Sequence, residues 1–124
     1  ALIPAANCWE DASHLLRAMS HPVRMAILAM LCERPHCVKH LNALIPIPQP
    51  HLSQHIAALR KVELVACHAC GPVHCYYLLK PTLVKTLIRL LCEEHPAKEQ
   101  DYQVVVRHAR KGWEERIGQK WGSS

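Results

Sequence analysis

Gln49-Pro50-His51-Leu52-Ser53-Gln54-His55-Ile56-Ala57-Ala58-Leu59-Arg60-Lys61 is the stretch on which the reading of the chain turns. Leu52, Ile56 and Leu59 recur at i, i+4 and i+7, which sets three aliphatic side chains on one face of a helix that Pro50 can open. His51, Gln54 and Lys61 fall on the opposite side, with Ala57 and Ala58 between them. Two small residues let that face approach another surface closely, and Gln54 and His51 offer hydrogen bonds there. An ordinary surface helix has the same periodicity, so its flanks must decide. Just before it, Ile45-Pro46-Ile47-Pro48-Gln49-Pro50 carries prolines at alternate positions. Each disfavours helix in the residue before it, so the segment reads as a stiff extended turn that fixes an angle between two helices.

Upstream of the turn, a helix over roughly residues 39–45 points Leu41, Leu44 and Ile45 inward, preceded by a short extended piece at His36-Cys37-Val38. A helix opened by Pro22 and stopped by Pro35 buries Val23, Ile27, Leu28 and Leu31, with His21 as a weak cap. The first helix has Glu10 and Asp11 near its start and Trp9, Ala12, Leu15, Leu16 and Met19 at helical spacing. Downstream, Leu64-Val65-Ala66-Cys67 and Cys75-Tyr76-Tyr77-Leu78-Leu79 read as two strands around Gly71-Pro72, with Cys75, Tyr77 and Leu79 expected on the core face. Pro81 begins a fifth helix whose leucines and isoleucine (Leu83, Leu87, Ile88, Leu90, Leu91) cover more surface than one small core requires. That excess implies a second buried surface, hence a dimer. His95-Pro96 ends the helix, and Tyr102, Val106, Ala109, Trp113 and Ile117 align on a sixth. Residues 1–95 thus read as one domain and 96–124 as a helical extension.

Composition agrees. The 124 residues are 50% hydrophobic and 20% charged, which excludes disorder and collagen-like repeats, and no Phe is present, so the core must be aliphatic. The longest apolar run, Met25 to Cys32, is eight residues, too short to cross a membrane, where roughly 18–20 are needed. The first residues lack the basic start and apolar length of a secretory signal. Seven cysteines without such a signal fit the reducing cytoplasm, where thiols stay free, metal-bound or redox-active. A formal charge of +5 permits an anionic partner without requiring one. A nucleophile elbow, a phosphate loop and paired carboxylates are all missing from the sequence, which argues against an enzyme.

Helix, helix, short strand, helix, turn, helix, hairpin, helix is the order of a winged helix-turn-helix domain, mainly α with a small β-hairpin wing. In that architecture one helix enters the major groove of double-stranded DNA while the hairpin reaches the backbone beside it. Three segments carry a resemblance to the arsenic-repressor (ArsR/SmtB) family: Leu15 to Leu28, with Ser20-His21-Pro22 at its centre; Gln49 to Arg60; and the pair Glu63-Leu64-Val65 and Cys75 to Leu79. The match spans roughly residues 12–92 in the correct order. It implies a homodimer built from the first and fifth helices, bound to a partly palindromic operator as a repressor until an inducer lowers its affinity. By this resemblance Gln49, His51, Ser53, Gln54, His55, Arg60 and Lys61 face DNA, with His74 on the wing. Two departures stand out: His21 replaces the usual Asp before the helix-opening proline, and Glu63 replaces the Gly usual after the recognition helix. The wing also carries His68 and His74 where relatives have more Arg and Lys.

In the family's metalloid sensors a Cys-Val-Cys stretch opens the third helix; here it reads Cys37-Val38-Lys39, so one thiol is kept. The family's zinc site on the fifth helix has no counterpart among Thr82, Lys85, Thr86 and Arg89, which makes Zn(II) the lesser expectation. A four-residue loop from Gly71 to His74 would set Cys70 opposite Cys75, and pairing of the short strand with the second wing strand would bring Cys37 to Cys75. Cys37, Cys70 and Cys75 are therefore candidate ligands for a soft inducer such as As(III) or Sb(III). Other readings stay open: a redox or persulfide response through Cys32 and Cys92, a zinc knuckle at Cys67-His68-Ala69-Cys70, and a winged protein-interaction module without DNA activity.

Overall fold

Prolines and a few side-chain hydrogen bonds set the helix boundaries. The computed structural model describes residues 6–121, apart from the side chains of residues 6, 7, 70 and 117–121. The elements run α1 (Ala6–Met19), α2 (Pro22–Glu33), β1 (His36–Cys37), α3 (Val38–Leu44), α4 (Gln49–Lys61), β2 (Val65–Cys70), β3 (Val73–Leu78), α5 (Pro81–Cys92) and α6 (Tyr102–Trp121). The chain divides into two compact units, residues 1–93 and 94–124.

In the first unit, Pro22 opens α2, and His21 proves a working cap: its Nδ1 accepts from the Val23 N–H at 3.1 Å. The α3–α4 turn is held by Asn42, whose Nδ2 donates to the carbonyls of Ile45 (3.1 Å) and Ile47 (2.7 Å). Each of these carbonyls precedes a proline, and the amide of Asn42 satisfies both at once. At the end of α4 the Leu64 N–H reaches the Leu59 carbonyl (3.1 Å) and the Glu63 N–H the Arg60 carbonyl (3.0 Å), a Schellman closure. Glu63 occupies its left-handed position at φ +60°. Ile27, Leu28, Leu41, Leu52, Ile56, Leu59, Leu64, Val65 and Val84 are fully buried, so one aliphatic core joins α2, α3, α4, the sheet and α5.

The sheet runs in the order β1-β3-β2, all antiparallel. Its register corrects two expectations. The wing turn is the two-residue Gly71-Pro72, with Gly71 at φ +63°, so Val73 lies opposite Cys70 and His68 opposite Cys75. Cys70 and Cys75 are therefore not direct register partners. The core face of β3 is Tyr76 and Leu78, which pack on the buried cluster, while Tyr77 and Leu79 are exposed. Cys75-Tyr76-Tyr77-Leu78-Leu79 is apolar at every position, so no alternation in it reveals which parity faces inward. Pairing of Val65 with Leu78 settles the choice.

In the second unit Asp101 caps α6, its Oδ1 accepting from the N–H groups of Gln103 (2.9 Å) and Val104 (3.4 Å). The expected stripe is exposed at Tyr102, Ala109 and Trp113 and half-buried at Val106, and the side chain of Ile117 lies outside the described residues. Among the described residues no single helix is long and apolar enough to cross a membrane.

Candidate nucleic-acid interface

Leu52, Ile56 and Leu59 anchor α4 in the core, which turns Gln49, His51, Ser53, Gln54, Ala57, Arg60 and Lys61 outward as exposed residues. The result is a polar ridge with a small-residue step at Ala57, positively charged at its C-terminal end. Every sequence-predicted residue of this helix sits on that ridge except His55.

His55 is half-buried and tied to α2. Arg24 Nε donates to its Nδ1 at 3.2 Å, and its ring lies 4.3 Å from that of His21. Arg24 also donates to the Ala18 carbonyl at 3.3 Å. Burial first, then the charges of His21, Arg24 and His51, push the His55 pKa below its ordinary value. A neutral imidazole is what the Arg24 hydrogen bond requires, because Nδ1 must accept. His55 therefore orients α4 on α2. Sequence periodicity alone could not find this, since Arg24 and His21 belong to another helix.

On the wing, His68 and His74 are exposed. His74 Nδ1 lies 3.5 Å from Cys67 Sγ. Across the strand from Cys67 stands Tyr76, whose phenol pKa is pushed up by burial and by its contact with the Cys67 thiol, against the opposing pull of Arg60. The charge of Arg60 thus reaches from α4 to the base of the wing. The Cys67–His74 pairing follows from a diagonal step across a two-residue turn, a step that a four-residue loop hides.

The opposite face of the wing carries the other thiols. Cys37 and Cys75 are register partners and both half-buried. Strand alternation places them, with His68, on the face away from the core. The side chain of Cys70 lies outside the described residues; its backbone pairs with Val73. Among the described residues no three His, Cys, Asp or Glu side chains are grouped so as to hold a metal ion. Burial pushes the Cys32 thiol pKa up, opposed by Lys85. Cys92 lies seven residues beyond Lys85, about 10 Å along α5. Cys8 and Cys92 are exposed.

A sequence profile described as "Bacterial regulatory protein, arsR family" matches residues 21–66, from the α2 cap into β2. The HTH-type transcriptional repressor SmtB of Mycobacterium tuberculosis is 37% identical over 68 residues, which cover 55% of this chain and 50% of that protein. The chain therefore spans about half the length of that curated relative. An HTH-type transcriptional regulator of Methanocaldococcus jannaschii is 31% identical over 86 residues, 68% of this chain and 96% of the relative. Among solved structures, HlyU from Vibrio cholerae superposes with a TM-score of 0.66 at 30% identity, covering 72% of this chain and all (100%) of that one. The profile match, the 31% identical relative and the superposition agree with the fold described above, and this chain belongs to the arsR family of winged helix-turn-helix transcriptional regulators.

Proposed function

We propose that the chain is a homodimeric repressor that binds a partly palindromic operator and releases it when a thiol-reactive metalloid binds. The observation that carries DNA binding is the exposed face of α4, where Gln49, His51, Ser53, Gln54, Arg60 and Lys61 stand clear of the core beside an exposed hairpin. Gln54 and His51 have the donors and acceptors to read base edges, while Arg60, Lys61 and His74 suit phosphates. Repression is the sense named for the mycobacterial relative.

Dimerisation is supported by exposed apolar surface on the two helices that the family resemblance implicates. Trp9 and Leu16 on α1, and Leu83, Leu90 and Leu91 on α5, are exposed, and an apolar groove between them is lined by Leu16, Met19, Met25, Leu87 and Leu91. Two recognition helices in one dimer then meet successive turns of the major groove.

For the inducer, Cys37 and Cys75 supply two thiol ligands from adjacent strands, with Cys70 as the candidate third. Thiolates suit As(III) or Sb(III), whereas structural Zn(II) wants four ligands. Cys37 is the N-cap residue of α3, the helix that leads through the proline turn into α4, and Cys75 belongs to the wing, so an ion joining them pulls on the wing and on the support of α4. A change of about 1 Å in their relative position is enough to mismatch two half-sites. A redox response through Cys32 and Cys92 is the weaker reading, because burial disfavours the Cys32 thiolate. In the reducing cytoplasm the thiols would remain available to the ion.

Titrating a fluorescent operator at several salt concentrations tests the DNA assignment. Preference for operator over random DNA, with affinity falling steeply as salt rises, is the expected result. Absence of any salt-dependent DNA binding would leave a winged protein-interaction module.

A further inference from the structure

The core-side face of the wing carries a second, separate piece of thiol chemistry. Cys67 Sγ and His74 Nδ1 lie 3.5 Å apart, within reach for a thiol proton to pass to an imidazole nitrogen. The Tyr76 phenol, the register partner of Cys67, contacts the same sulfur. Cys67 is half-buried and His74 exposed, so the pair opens to solvent at the His74 side. A nucleophile, a base within hydrogen-bond distance and a phenol able to donate to the sulfur are the parts of an activated thiol.

We propose that Cys67 is a covalent modification site, at which His74 acts as the base for exchange with low-molecular-weight disulfides. In the step, the Cys67 sulfur attacks one sulfur of the disulfide R–S–S–R while its proton passes to His74 Nδ1. A Cys67–S–S–R bond forms as the S–S bond of the disulfide breaks, the other half leaves as R–S⁻, and that thiolate takes the proton back from the imidazolium. The substrate is itself the oxidant, so nothing else is consumed. A glutathione-type group, anionic overall, would thereby be attached beside the DNA-facing wing. Its effect on DNA rests on the function proposed above, but the exchange itself does not.

The test uses the full, reduced chain exposed to glutathione disulfide at neutral pH, with the rate at each cysteine read by peptide mass mapping. Cys8 is the reference, because it is more exposed than Cys67 and accessibility alone would favour it. Cys67 is expected to react at least about tenfold faster than Cys8. His74→Gln should bring Cys67 down toward the Cys8 rate while leaving Cys8 unchanged. Protection of Cys75, in the same strand as His74, reports that the wing of the variant is intact. A Cys67 rate no greater than that of Cys8, or one unaffected by His74→Gln in a folded wing, would overturn the proposal.

Discussion

Cys37 and Cys75 face each other as antiparallel register partners of β1 and β3, on the side of the sheet turned away from the core. Direct partners in such a ladder have Cα atoms about 4.5–5.5 Å apart, so their sulfurs can close on one soft ion without moving either strand far. Cys37→Ser or Cys75→Ser should therefore leave operator binding intact in the reduced protein and abolish its release by As(III). Zn(II) should release wild type poorly. Retained metalloid response in both variants, measured by fluorescence anisotropy, would move the sensor elsewhere.

Gln54 is exposed at the middle of α4, opposite the buried Leu52, Ile56 and Leu59. Gln54→Ala should weaken operator binding by about 1–3 kcal/mol while sparing binding to random DNA. Equal losses on both DNAs would assign Gln54 to the backbone or to no contact.

His55 supplies a pH dependence of stability whose sign follows from its depressed pKa. The unfolded chain binds a proton near the ordinary value of about 6.5, before the folded protein does. Stability is thus full above that value and declines as pH falls toward the folded pKa. His55→Gln should flatten this part of the profile in thermal melts between about pH 7 and 5. The same hydrogen bond to Arg24 withholds the His55 Nδ1 from DNA.

Glu63 holds the left-handed position of the α4 closure at φ +60°. A non-glycine residue there costs roughly 1–2 kcal/mol, and part of the gain on replacement is offset by glycine's freedom in the unfolded chain. Glu63→Gly should stabilise the protein by about 0.5–1 kcal/mol in urea unfolding. A loss of stability would mean that the Glu63 carboxylate makes a compensating interaction.

Leu91 is 61% exposed at the rim of the apolar α1–α5 groove. If that surface is the dimer interface, Leu91→Glu places a charge where water is excluded and should weaken dimerisation at least about tenfold. Sedimentation measurements showing an unchanged dimer would relocate the interface.

Helix positions, the proline turn and the polar face of α4 were all legible in the sequence, because period and proline are local properties. Leu52, Ile56 and Leu59 define their face whatever surrounds them, and Pro22, Pro50 and Pro81 constrain the backbone by themselves. The partnership of Cys37 with Cys75 could also be anticipated, since winged folds pair those strands. Which side of the wing faces the core could not: Cys75 to Leu79 is apolar throughout, and the choice came from pairing Leu78 with Val65. The same register moved Val73 opposite Cys70 and drew Cys67 to His74, because a change in turn length shifts every cross-strand partner. His55 shows the same limit on a helix: its spacing assigns it to the DNA face, but Arg24 and His21 reach it only once α2 packs against α4. Sequence by itself determined what is periodic along the chain, and tertiary structure decided what depends on partners brought from far along it.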